Sequence, residues 1–481
     1  MTHQQKNQHL LWRAGFGPLP SDWAALADRK PADWYATLRR DSAAAPRYLN
    51  VVDAELMQSY TIPGWSKTVD EATRKRVQVK NNNAIRDINL AWLREMADSK
   101  AQLREKIALF WHGHFCTLTL NIHYAQQLLQ VLRTHGLGNF RTLLGEVARS
   151  AAMMLYLNAQ SNRKGHPNEN FAREVMELFT LGRGHYTEND IKEAARAFTG
   201  WWVETDGTFK VKPAEHDEGS KTVLGHTGNW SGEQVLDFLL QQKDTAVHIT
   251  RKLYRFLVSD TPDERRVAAL ADRFYKSNYE IGTLLDDIFT STWFYEPALY
   301  GARIKSPVEL LTGIRRTLSL SLDNEEQYLM LQRVLGQILF FPPNVAGWPG
   351  GRSWIDSTTL MLRMRLPQMF NEKDALNVQV KPNNDMQPQS NVVNAVYSNA
   401  KVRTLEKNTR FDVRMDWKAQ VARFASVKRE ELVPAIAGAL LPSGLQVPPS
   451  LITAYANSDS RESFIKTATL QVMSLPEYQL C

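Results

Sequence analysis

Thiols, long apolar runs, segregated charge and internal repeats are all scarce in this chain, and each scarcity removes a class of protein. Two cysteines occur in 481 residues, Cys116 and Cys481, leaving no disulfide framework and no thiolate cage for zinc, copper(I) or an iron–sulfur cluster. No window approaches the roughly 20 apolar residues of a membrane-spanning helix, since the runs at 235–240 and 338–343 are short and flanked by polar residues. The opening MTHQQKNQHLLWRAGFGPLP has too short an apolar run for a signal-peptide core and no small-residue cleavage pattern, so a cytoplasmic location is expected. The net charge is +7, but Lys and Arg interleave with Asp and Glu along the chain, which argues against nucleic acid as a partner.

What the chain does have is enough apolar content, 43% against 23% charged, to bury a large core. Apolar residues recur three and four apart over 20–39, 81–98, 101–112, 124–135, 139–150 and 168–199, and again over 232–242, 246–259, 264–277, 281–291, 306–320 and 325–339. One hairpin is expected, WWVET against TFKVK around Asp206-Gly207, because Asp-Gly supplies the positive φ angles of a tight turn. The fold class expected is therefore mainly α, a multi-helix bundle-like architecture with a small β-hairpin insertion. Its regions read as an N-terminal helical part (1–160), a motif-bearing helix pair with hairpin and loop (161–230), and a helical scaffold (231–370). A polar Asn/Gln-rich linker or insertion (371–411) and a C-terminal helical part (412–481) follow. Residues 340–354, FFPPNVAGWPGGRSW, form a packed loop, as prolines and glycines forbid regular structure while Phe340, Phe341, Trp348 and Trp354 demand burial. The basic stretch 66–83 reads as a solvated loop or helix face.

Chemistry concentrates between His166 and Trp201. A regular helix over 168–181 puts Phe171, Val175, Leu178 and Phe179 on one apolar face and Glu169, Arg173 and Glu177 on the other as an i,i+4 ion-pair ladder. Glu174 projects at the border of the apolar face, where an unpaired carboxylate is costly and needs a cation, a proton or a metal. Thr187 and Asp190 form a capping box for the next helix, whose buried stripe is Ile191, Ala194, Ala195 and Phe198. Glu193 lies off that stripe. If a second neighbour covers it, Glu174 and Glu193 share one cavity, although the Glu-x-x-His pair of di-iron bundles is missing.

Two further knots lie outside this pair. In WHGHF (111–115), His114 shares a face with Leu103, Ile107 and Phe110, and a helix ending at Gly113 lets His112 and His114 converge on one metal. In HDEGSK (216–221), His216, Asp217 and Lys221 crowd a loop with few packing duties. The candidate metal ligands are therefore His112, His114, Glu174, Glu193, His216 and Asp217, with imidazole and carboxylate suiting iron, manganese or zinc. Without a metal, Glu174, His216 and Asp217 serve as acid–base groups, and Lys221 or Arg173 holds an anion. His123, His135, His226 and His248 carry no interpretable spacing.

LLWRAGFGP, WHGHF, NENFAREVMELFTLG, YTENDIKEAARAFTGW, HDEGSKTVLG, PPNVAGWPGG and SLPEYQ together resemble a bacterial domain-of-unknown-function family, numbered 1800, over nearly the whole chain. The resemblance implies a sulfatase-like partner protein and, as the alternative to a cytoplasmic location, export to the periplasm with that partner. Its motifs fall on His112, His114, Asn168 to Asn170, Arg173, Glu174, Glu177, Thr199 to Trp201, His216, Asp217, Gly219 and Lys221 without assigning them roles. The function expected is a metal-dependent enzyme, hydrolytic or oxidative, on a polar substrate such as a glycan or peptide. The alternative is a non-catalytic scaffold or chaperone-like partner.

Overall fold

Apolar residues spaced three and four apart fold most of the chain into helices in the computed structural model, which describes residues 1–372, Val396 and 411–481. The first half includes α1 (His3–Arg13), α2 (Pro31–Ala43), α3 (Glu71–Asp98), α4 (Gln102–His114), α5 (Ile122–His135), α6 (Phe140–Arg149) and α7 (Asn170–Glu174), with shorter helices between them. A π-helix, Val175–Thr180, continues α7, and α8 (Glu188–Ala197) follows. Then come α9 (Gly232–Gln241), α10 (Lys243–Leu257), α11 (Glu264–Lys276), α12 (Ile281–Phe289), α13 (Pro307–Thr317), α14 (Glu326–Leu335), α15 (Ser357–Glu372), α16 (Leu432–Leu440) and α17 (Arg461–Met473). The mainly α class is what the periodicity implies, and among the described residues no helix is long and apolar enough to cross a membrane. The polar stretch expected at 371–411 lies almost wholly outside the described residues.

Strands occur as antiparallel pairs. The Asp206-Gly207 hairpin is present: β1 (Trp201–Val203) pairs with β2 (Phe209–Val211), Trp202 opposite Lys210, and Gly207 takes φ +88° at the turn. A second hairpin, β3 (Lys221–Val223) with β4 (His226–Gly228), packs β3 on α8, and β5 (Leu320–Leu322) pairs with β6 (Val413–Met415). The single helix expected over 20–39 is instead a short 3-10 turn at Pro20–Asp22 and then α2, because Pro31 can open a helix but not sit within one. Residues 71–83 of the basic stretch form the largely exposed first half of α3, whose N-cap Asp70 accepts from the Thr73 amide at 2.7 Å.

The buried apolar side chains form one continuous core from Leu10 to Cys481. At its heart lies a cluster of charges. Glu309, the third residue of α13 and 1% exposed, accepts from Arg303 at 3.1 and 3.2 Å, from the Ser306 amide at 2.7 Å, and from the fully buried Lys106 of α4. Burial alone raises a carboxyl, but Arg303 and Lys106 overcome it and hold Glu309 well below the usual carboxylate range. Replacing Glu309 with Gln strands two buried cations, and we expect a loss of about 3–5 kcal/mol in urea denaturation. A loss under 1 kcal/mol, the scale of an exposed pair, would mean that the cluster is solvated.

Candidate functional site

A π-turn forms where one extra residue is accommodated in a helix, and such turns are rare and cluster at functional sites. Here Met176 O accepts both Leu181 N (2.9 Å) and Gly182 N (3.2 Å), while the Thr180 hydroxyl donates to Val175 O at 2.6 Å. The last carbonyls of this helix are left for side chains to satisfy. Leu178 O accepts from Lys252 Nζ and from His248 Nε2, both at 3.1 Å, and Phe179 O accepts from His114 Nε2 at 3.3 Å. Lys252 Nζ also donates to His114 Nδ1 at 3.2 Å. The tautomer of His114 follows from its partners: a carbonyl only accepts, so Nε2 carries the hydrogen and Nδ1 offers its lone pair to Lys252.

Three motifs meet here: the end of α4 in WHGHF, the π-helix in ELFTLG, and the PPNVAGW loop. Gly182, at φ +82°, leaves room for His248, since a Cβ there would come within 2.8 Å of Nδ1. Gly347, at φ +84°, seats the loop on the turn after α4, where a Cβ would lie 2.5 Å from Gly113 O and 2.9 Å from Cys116 Sγ. Burial favours the neutral form of each titratable group here. Burial pulls Lys252 down to about 8 and His248 to about 4, and it pushes the Cys116 thiol up to about 12. Burial, with Lys252 and His248 adding to it, takes His114 well below the ordinary imidazole range. Among the described residues Lys252 has no carboxylate in ion-pair range.

The residues singled out from sequence are distributed over several places. His112 and His114 do not converge, because α4 runs on through Gly113 and two residues of helix turn the rings about 200° apart. His112 stacks on Trp92 at 5.1 Å, and its Nε2 accepts from the Phe340 amide at 3.0 Å. A cavity beside it, lined by Phe115, Thr117, Thr119, Leu128 and Phe340, has about 20 Å³ and admits a single water.

Glu193, Asp217, His216 and Lys221 are brought together around α8 by the second hairpin. Arg196 clamps Asp217 at 2.8 and 3.2 Å and Glu193 at 3.0 Å. Glu193 also accepts from the Thr222 amide at 3.0 Å, so β3 is the neighbour that covers its side of the helix. Arg196 holds Asp217 down to about 2. Lys221, 1% exposed, gives its protons to Gly219 O and Asn229 Oδ1. His216 Nδ1 donates to Thr199 O at 2.8 Å, which leaves Nε2 as an open acceptor.

Arg173 bonds Glu169 at 3.0 Å and Glu188 at 2.8 Å. Glu177 does not complete the expected ladder. The π-turn carries it round to Arg183 and to the Tyr186 hydroxyl, and it leaves Leu178 only partly buried while Met176 is buried instead. Glu174 is half-buried and accepts no hydrogen bond among the described residues. Burial, helped by Glu177, raises its carboxyl. Among the described residues no three of His, Cys, Asp and Glu gather as around a metal ion. Sequence reasoning passed over Lys252, His248 and Cys116, although His248 and Lys252 stand four apart on one face of α10.

His112 gives a pH dependence with a definite sign. Its folded value is lowered by burial from 6.5 to about 4, so its contribution is whole above 6.5 and is lost as pH falls through 4. We expect melting temperature to fall across that window, with a His112 share of up to about 3 kcal/mol. His112→Leu should flatten the acid slope, and an unchanged slope would show that the imidazole is not buried neutral.

No curated protein and no solved structure matches this chain. The match found covers residues 9–480 and takes in every motif described above: the chain belongs to the family described as Protein of unknown function (DUF1800).

Proposed function

We propose that the protein is an enzyme working by acid–base chemistry on a polar substrate, at the junction of α4, the π-helix and α10. One observation carries this reading: the ammonium of Lys252 is held by an imidazole lone pair and a π-turn carbonyl, with no counter-ion among the described residues. Lys106 in the core is by contrast matched by the carboxylate of Glu309. An amine set among neutral groups instead loses its proton readily, and burial pulls Lys252 down to about 8. His114 then takes or returns the proton through Nδ1. Metal-dependent hydrolysis or oxidation with iron, manganese or zinc would find its anchor at the open Nε2 of His216.

The scaffold reading has its own support, since Asp217, Glu193, Lys221 and Arg173 all spend their charge on internal partners. Such saturated networks fix a fold, and a sulfatase-like protein is the partner that family resemblance offers. Chemical reactivity separates the two. Trace acetic anhydride at pH 7.5, read by peptide mapping, should acylate Lys252 at least about tenfold faster than the exposed lysines if its proton is loosely held. Equal or slower labelling would favour the scaffold.

A further inference from the structure

We infer that Lys252 is a carbonyl-capturing amine, so that the site takes an aldehyde or ketone and holds it as an imine. This rests on the acid–base reading and names its substrate class. Both neighbours of Nζ, Leu178 O and His114 Nδ1, are acceptors. A neutral amine satisfies them with its two N–H bonds and presents its lone pair along the remaining tetrahedral direction. Lys252 also keeps partial access to solvent.

The charged and titratable groups facing Lys252 leave it the nucleophile. His114 comes from α4. Cys116 follows α4, with its Sγ turned to the carbonyls of His112 and Gly113. His248 and Arg251 share α10 with Lys252, and Arg251 is spent on Glu264 at 2.8 Å. Lys305, the other strongly depressed lysine, is fully buried between Trp12 and Tyr478 and has no such access.

Capture by Lys252 balances without a redox partner. The nitrogen lone pair forms a bond to the carbonyl carbon, the C=O π electrons move to oxygen, and His114 Nδ1 takes a proton from the attacking nitrogen. That proton passes on to the alkoxide oxygen and makes it a hydroxyl, and the second N–H proton then travels by way of the same His114 nitrogen to the hydroxyl, which leaves as water as C=N forms. An imine hydrolyses back to free amine, whereas an acylated lysine would be a dead end, so a carbonyl compound suits turnover at this amine.

The test uses the whole protein with formaldehyde, the smallest aldehyde, at pH 7 and limiting cyanoborohydride, which donates hydride to the imine and traps it as methylated lysine. Peptide mapping should find Lys252 methylated at least about tenfold faster than the exposed lysines. Lys252→Arg, which keeps a cation but forms no imine, should lack the fast phase. A fast phase that survives in Lys252→Arg, or Lys252 methylated no faster than the exposed lysines, would overturn the inference. Preferential acylation by acetic anhydride without aldehyde trapping would remove the carbonyl substrate and leave the acid–base reading standing. Failure of both would remove both.

Discussion

Glu309 sets the terms for the core, because a single buried carboxylate there answers two buried cations delivered by separate parts of the chain. Lys106 arrives on α4 and Arg303 on the segment before α13. Desolvating a charge costs several kcal/mol unless the geometry returns it, so α4 cannot shift along α13 without stranding Lys106. Other buried cations lean on backbone carbonyls: Arg13 on Val258 O at 2.7 Å and Leu299 O at 2.9 Å, Arg316 on Gly17 O at 2.9 Å, and Lys305 on Tyr478 O at 2.6 Å. These contacts pin α1 to the end of α10 and to the loop before α13, and they account for a LLWRAGFGP motif far in sequence from its partners.

With α4 fixed at one end, its other end is placed as well, and there the same physics is used differently. The π-turn opens two carbonyls toward α4 and α10, and three cationic or imidazole side chains fill them. Among the described residues no carboxylate pairs with them. The region is hydrogen-bonded throughout yet has its buried amine set among neutral groups, which is the condition in which an amine becomes a reagent rather than a strut. Around α8 the opposite holds, since Arg196 and Asp217 satisfy one another and hold the second hairpin in place.

The legible parts were those with local causes. The capping box of Thr187 and Asp190, the buried stripe Ile191, Ala194, Ala195 and Phe198, and the Asp206-Gly207 turn each follow from neighbouring residues, and each is present. The second hairpin was not legible, because its turn uses Leu224 at φ +50° with Gly225, a pairing that an isolated strand ladder would not choose. Asp190 compensates by accepting from the Leu224 amide at 2.7 Å, a contact that exists only once α8 is packed against β3. The π-turn was invisible for a related reason. It changes the helical register by one residue without disturbing the apolar count, so Glu177 and Leu178 rotate away from their projected faces. His248 and Lys252 looked like ordinary polar positions on α10, and only the tertiary fold reveals that their partners are carbonyls.

The protonation state of one nitrogen is therefore the quantity on which the functional reading turns. It is read directly by NMR titration of ¹³Cε and ¹⁵Nζ in lysine-labelled protein, with the Lys252 signal assigned by its disappearance in Lys252→Arg. A midpoint near 8 is predicted, set apart from the other lysines. A midpoint above about 10, where unperturbed lysines titrate, would contradict it and leave the junction a structural joint.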